Sequence, residues 1–152
     1  MTFPSLPLPG ADYLVAYATP DDLASWTGRD PPDGAERLLR SASMLIRRDT
    51  AAAFYLADAR GLPTDPLVSA AFRDATCAQA AAWAALRVDP QLGGVVTART
   101  PASKSLDGAS IAYADASHAA TARERAVREL VPEAVEILSA KGLLQMRAWV
   151  YG

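Results

Sequence analysis

The stretch LVSAAFRDATCAQAAAWAALRV, residues 67–88, decides what kind of protein this is. Val68, Ala71, Phe72, Ala75, Ala82, Trp83 and Leu86 recur at the three- and four-residue spacing of one helical face. Alanine fills much of the rest; it has the highest helix propensity and lets a neighbouring backbone approach closely. Such a helix needs a partner to cover its apolar face. The residues just before it supply a start signal. In ARGLPTDP, residues 59–66, Gly61 ends an earlier helix, Thr64 or Asp65 caps a new one, and Pro66 takes its first position.

The partner lies upstream. In DGAERLLRSASMLIRRDTAAAFYL, residues 33–56, Asp33 and Glu36 form a capping-box pattern. Leu38, Leu39, Ala42, Leu45, Ile46 and Ala53 then make one apolar stripe roughly six turns long. The short connection between the two segments predicts an antiparallel pair. Further upstream, YATPDDLASWTG, residues 17–28, predicts a small helix with both ends specified. Thr19 is its N-cap, Pro20 its first residue, Asp21 and Asp22 sit where the helix dipole favours negative charge, and Gly28 closes it. GRDPPDG, residues 28–34, is a turn. Residues 1–16, with Pro4, Pro7, Pro9 and Gly10, read as an extended arm.

Downstream the pattern changes. GVVTART and SLDGASIAYAD are rich in Val, Thr, Ile and Tyr with partial alternation and are separated by PASK, which predicts a β-hairpin over 93–116. A last helix follows over 117–142, opened by Ser117 and closed at Gly142, with Ala126, Leu130, Ala134, Ile137 and Leu138 facing inward. Pro132 should kink or split it. The tail LLQMRAWVYG, residues 143–152, places Leu143, Leu144, Met146, Trp149, Val150 and Tyr151 within ten residues. Two destinations suit such an apolar end: a final strand folded back on the chain's own core, or docking on a partner. The expected fold class is therefore mainly α, an antiparallel helical bundle with a β-hairpin excursion and extended N- and C-terminal arms. At 152 residues one domain over 1–152 is expected, divided into an arm (1–16), a helical core (17–92), a hairpin (93–116), a last helix (117–142) and a tail (143–152).

Composition narrows the function. Apolar residues make up 51% and charged residues 21% of the chain, and the formal net charge is -2, so there is no global attraction to nucleic acid or to anionic lipid. No basic n-region precedes an apolar run, which predicts a soluble, non-secreted protein. Cys77 is the single cysteine and His118 the single histidine. Within one chain this excludes a disulfide, a cysteine-based zinc site and a multi-histidine metal site. His118 lies in ASHAAT, without the glycine elbow of a serine hydrolase, and reads as an exposed residue near a helix start. Cys77 sits among Ala and Thr residues and reads as a small core residue. Asp21 and Asp22 belong to a helix start, and Glu124 and Glu129 lie among arginines on a helix surface. No phosphate-binding glycine motif occurs. No catalytic, cofactor-binding or metal-binding residue is therefore expected, and no enzyme. Arg47, Arg48, Arg123, Arg125 and Arg128 read as surface charge, whereas Arg99 and Lys104 flank the expected hairpin turn, where two cations could touch phosphate without reading bases.

The order of these segments resembles the head-to-tail connector, or adaptor, proteins of long-tailed bacteriophages and phage-like particles, of the actinobacterial-phage type. The resemblance is carried by Tyr17 to Leu23, by ERLLRSASMLIRR and above all by LPTDPLVSAAFRDATCAQAAAW; it covers most of residues 13–90 and falls away in the hairpin and the tail. It implies a virion protein at the head–tail junction, assembled in the bacterial host cytoplasm. Its copies would form a homo-oligomeric ring of about twelve beneath the portal protein. The ring would extend the DNA channel and offer a platform to stopper and tail proteins, with DNA passing through the lumen, no cofactor and no membrane. On that basis Leu143, Leu144, Met146, Trp149, Val150 and Tyr151 are expected to dock on the portal or an adjacent subunit, and Arg99 and Lys104 to face the lumen or the next ring. The alternatives are a neighbouring head-completion (stopper) protein and a small helical DNA-binding regulator.

Overall fold

The computed structural model describes residues 16–92 and 109–144, with the backbone alone at residue 92 and over 109–117. It is mainly helical: α1 (Pro20–Thr27), α2 (Ala35–Asp49), α3 (Pro66–Leu86), a 3-10 turn at Pro90–Leu92, α4 (Ala109–Arg128) and α5 (Pro132–Ala140). Among the described residues there is no strand, only an isolated antiparallel bridge between Ala57 and Pro63.

The start and stop signals of α1 act as their chemistry predicts. Thr19 is extended, and its hydroxyl accepts the Asp22 N–H at 3.2 Å while the Asp22 carboxylate accepts the Thr19 N–H at 2.9 Å. This reciprocal pair satisfies two donors that the first turn leaves open. Gly28 closes the helix in the left-handed region at φ 68. In α3, Asp65 is the cap, accepting Leu67 N–H at 2.8 Å, and Pro66 is the first helical residue.

The structure corrects the reading of α2 at both ends. Gly34, at φ 76, is the N-cap and no side chain caps the helix, so the Asp33–Glu36 capping box does not form. The helix stops at Asp49, short of the expected six turns, where the Thr50 hydroxyl donates to Ile46 O at 2.8 Å. The turn at Thr50 returns Tyr55 to the core, its ring 5.1 Å from that of Phe72, with Tyr17 at 4.7 Å on the same ring. Burying that aromatic trio outweighs continuing a solvent-facing alanine helix.

α3 is the central element, packed against α1, α2 and α5 and touching α4. It is buried on more than the one face its spacing implies: Thr76, Cys77, Ala78, Gln79 and Ala80 are all enclosed, whereas Leu86 is exposed. Toward one end, Leu23, Leu39, Ala42, Cys77, Ala80 and Trp83 join α1, α2 and α3; toward the other, Ile46, Phe72, Ala75, Ala134, Leu138 and Leu143 join α2, α3 and α5.

The hairpin expected over 93–116 is corrected where it can be seen. Residues 109–116 form the first turns of α4, because Ala109, Ala112, Ala114 and Ala116 favour helix continuous with the segment that follows; residues 93–108 lie outside the described part. The last helix thus begins at Ala109 and not at Ser117. Pro132 does split it, becoming the first residue of α5 with Val131 as N-cap.

Candidate functional site

Cys77 is buried in α3, and loss of water pushes its thiol up to about 12, with the Asp22 carboxylate adding to the effect, so it stays protonated and unreactive near neutrality. His118 is exposed on α4. Among the described residues no group of three or more His, Cys, Asp or Glu side chains could hold a metal ion, and no helix is long and apolar enough to cross a membrane.

Two polar arrangements were not legible in the sequence. Gln79, fully buried on α3, is aimed at the break between α4 and α5: its amide NH2 donates to Ala126 O and Glu129 O at 3.4 Å, and its carbonyl accepts Val131 N–H at 2.8 Å. One turn on, Trp83 Nε1–H donates to Ala126 O at 2.7 Å. These two side chains satisfy backbone groups that the helix break leaves without intrahelical partners. A glutamine among alanines carries no periodicity signal; only the position of the Pro132 break explains it. The second arrangement is the Arg37–Asp89 pair, 2.8 Å long, which ties the start of α2 to the turn after α3 beside a cavity of about 200 Å3. Asp89 also accepts Gln91 N–H at 2.9 Å. Both partners are thereby engaged in joining elements, and Arg87, which ends α3 in the left-handed region at φ 54, lines the same hollow.

The residues expected to dock on a partner divide. Leu143 is 2% exposed and lies in the core with Leu138. Its N–H donates to Leu138 O at 3.0 Å and Gly142 N–H donates to Ser139 O at 2.9 Å, the paired bonds that close a helix through a left-handed glycine. The apolar contact between positions 138 and 143 belongs to that motif, so Leu143 serves the fold and is corrected as a docking residue. Leu144 packs partly against the same cluster. Met146, Trp149, Val150 and Tyr151, and likewise Arg99 and Lys104, lie outside the described residues.

What remains is surface shape. At the α2–α3 connection Phe54 is 96% and Leu56 80% exposed, and Leu67 in the first turn of α3 is 64% exposed. At the opposite end of α3, Leu23, Trp26, Pro32, Ala81, Ala84 and Ala85 line a groove of about 450 Å3, with Arg29 and Asp30 also on its wall. Large apolar side chains exposed to water mark interaction surfaces. No family model matches the chain, and neither a curated protein nor a solved structure matches it.

Proposed function

We propose that this chain is a structural subunit of a phage or phage-like particle, a head-to-tail connector that forms a ring below the portal, extends the DNA channel and joins the capsid to the tail. The observation that carries the reading is a coincidence of segments. The three stretches on which the resemblance rests correspond to α1, α2 and α3, which pack on one another around Leu23, Leu39 and Trp83. The likeness therefore falls on a packed unit and not on scattered turns.

In this reading the helices form the rigid body of an antiparallel bundle. The segment over 93–108, with Arg99 and Lys104, faces the lumen or the next ring, and the N-terminal arm and the residues after Leu144, including Met146, Trp149, Val150 and Tyr151, reach the portal or a neighbouring subunit. DNA in the channel meets a non-specific, phosphate-directed surface.

Electron microscopy of particles from the producing cells, with the gene intact and disrupted, tests this. The expected result is tailless or leaking heads on disruption and a ring of density below the portal when the gene is intact. Normal tailed particles after disruption would exclude the connector role.

A further inference from the structure

The two helices on either side of Pro132 are held in opposite ways. α5 buries Ala134 and Leu138 against α2 and α3, and Leu130 and Val131 just before it pack on the same core. α4 is joined to α2 and α3 by bonds at its C-terminal end, and before that end His118, Ala120, Ala122, Glu124 and Arg125 are exposed. The helix is rich in alanine, carries a Glu124–Arg128 ion pair 3.0 Å long one turn apart, and advances about 30 Å over its 20 residues. It is long enough to keep its shape with its sides in water.

Three side chains close on its last carbonyls. Trp83 Nε1–H donates to Ala126 O at 2.7 Å, the Gln79 NH2 donates to Ala126 O and Glu129 O at 3.4 Å, and Arg48 Nη2 donates to Arg128 O at 2.7 Å. These acceptors lie at the negative end of a helix, which favours donors and cations. The chain itself does not repeat this hold. Pro132 has no N–H to offer the Arg128 carbonyl, Val131 is extended at φ -66 and ψ 151, and its N–H is taken by Gln79 at 2.8 Å. The helical ladder therefore stops at the joint, and Gln79 grips the α5 side by a short bond and the α4 side by long ones. Carbonyls released from this hold find water, so parting α4 from the body costs the net worth of a few hydrogen bonds, whereas parting α5 would expose Ala134 and Leu138.

We propose that α4 is a hinged arm: it swings as an intact helix about Glu129–Val131, with Trp83, Gln79 and Arg48 as the catch that sets its closed position, while α5 stays in the core. Hinges are a few residues at the ends of elements that absorb the change in φ and ψ, and Glu129, Leu130 and Val131 lie between the two helices. A partner that meets α4 more favourably in the open position shifts the population without refolding the body. The inference does not depend on the connector reading.

Spin-label distances on the full chain test it. One pair joins the arm to the body, His118→Cys with Ser69→Cys, and a control pair lies within the body, Ser69→Cys with Glu136→Cys; these positions are exposed, and Cys77 is buried and does not take the label. The control pair should give one narrow distance. The arm pair should give a closed distance and a second one, and the ratio of second to first should rise about two- to tenfold in Trp83→Phe, the worth of one hydrogen bond, with helical circular dichroism unchanged. Arg48→Ala, at an exposed position, should move the ratio in the same direction and tests the catch without touching the core. A single narrow arm distance in the wild type and in both variants would show a fixed strut and overturn the proposal. A shift accompanied by loss of helix, or by equal broadening of the control pair, would also overturn it, because α4 would then be melting or the whole body loosening. A fixed strut leaves the connector reading standing, and normal tailed particles after gene disruption leave the hinge standing.

Discussion

At the scale of single residues, the demanding position is Gln79. Its amide is enclosed and meets three backbone groups of the α4–α5 break, so Gln79→Leu keeps the volume but takes the partner from the Val131 N–H and the Glu129 carbonyl, while Ala126 O keeps its bond from Trp83. Removing one side of a buried hydrogen-bond set costs about 1–3 kcal/mol, and urea denaturation should show a loss of that size. Cys77 and Tyr55 act together on pH dependence. Burial raises both, the phenol of Tyr55 being affected first by loss of water and then by neighbouring Tyr17. Each folded group therefore holds its proton at pH values where the unfolded chain releases it, and the unfolded state gains by ionising. Their contribution is present below the unfolded pKa values, near 9.0 for the thiol and 10.0 for the phenol, and is lost as pH rises toward the folded values. Stability should fall above about pH 9, and Cys77→Ala should flatten that fall. A wild-type curve that stays level to pH 11 would contradict the assignment.

At the scale of elements, the informative feature is how α5 ends. A left-handed Gly142 at φ 67 lets Leu143 drop back onto Leu138, so the apolar run that follows begins inside the core. Leu143→Ala should cost about 2–5 kcal/mol, as for other buried leucines, read by thermal or urea unfolding of the isolated chain. Removal of residues 143–152 would consequently weaken the fold as well as any docking, so a tail-deletion phenotype alone does not report on attachment. The same logic governs α1, where the Thr19–Asp22 box and Gly28 define a short helix that would not persist in isolation. Leu23, fully buried against α2 and α3, supplies what the caps cannot.

At the scale of the whole molecule, α3 organises the core, since both of its halves lie along it, with exposed Phe54 and Leu56 near its start and the groove at Trp26, Ala84 and Ala85 near its end. The caps of α1, the start of α3 at Asp65–Pro66 and the split at Pro132 were legible in the sequence because each depends on a few adjacent residues and on backbone donors that must be satisfied locally. The docking candidates beyond Leu144 rest on the apolar run of the tail and on the resemblance, and Arg99 and Lys104 on their place beside an expected turn; all lie outside the described residues. The burial of Gln79 and the turn at Thr50 were not legible, and for Leu143 the sequence left the chain's own core and a partner as two open destinations. Residues 109–116 read as strand because Ile111 and Tyr113 alternate with small residues, yet they are helical in continuity with the rest of α4. Sequence by itself determined where helices start and stop and that alanine-rich faces must pack; tertiary structure decided which polar group meets which break and which apolar side chains stay in water, because those outcomes depend on contacts between residues far apart in the chain.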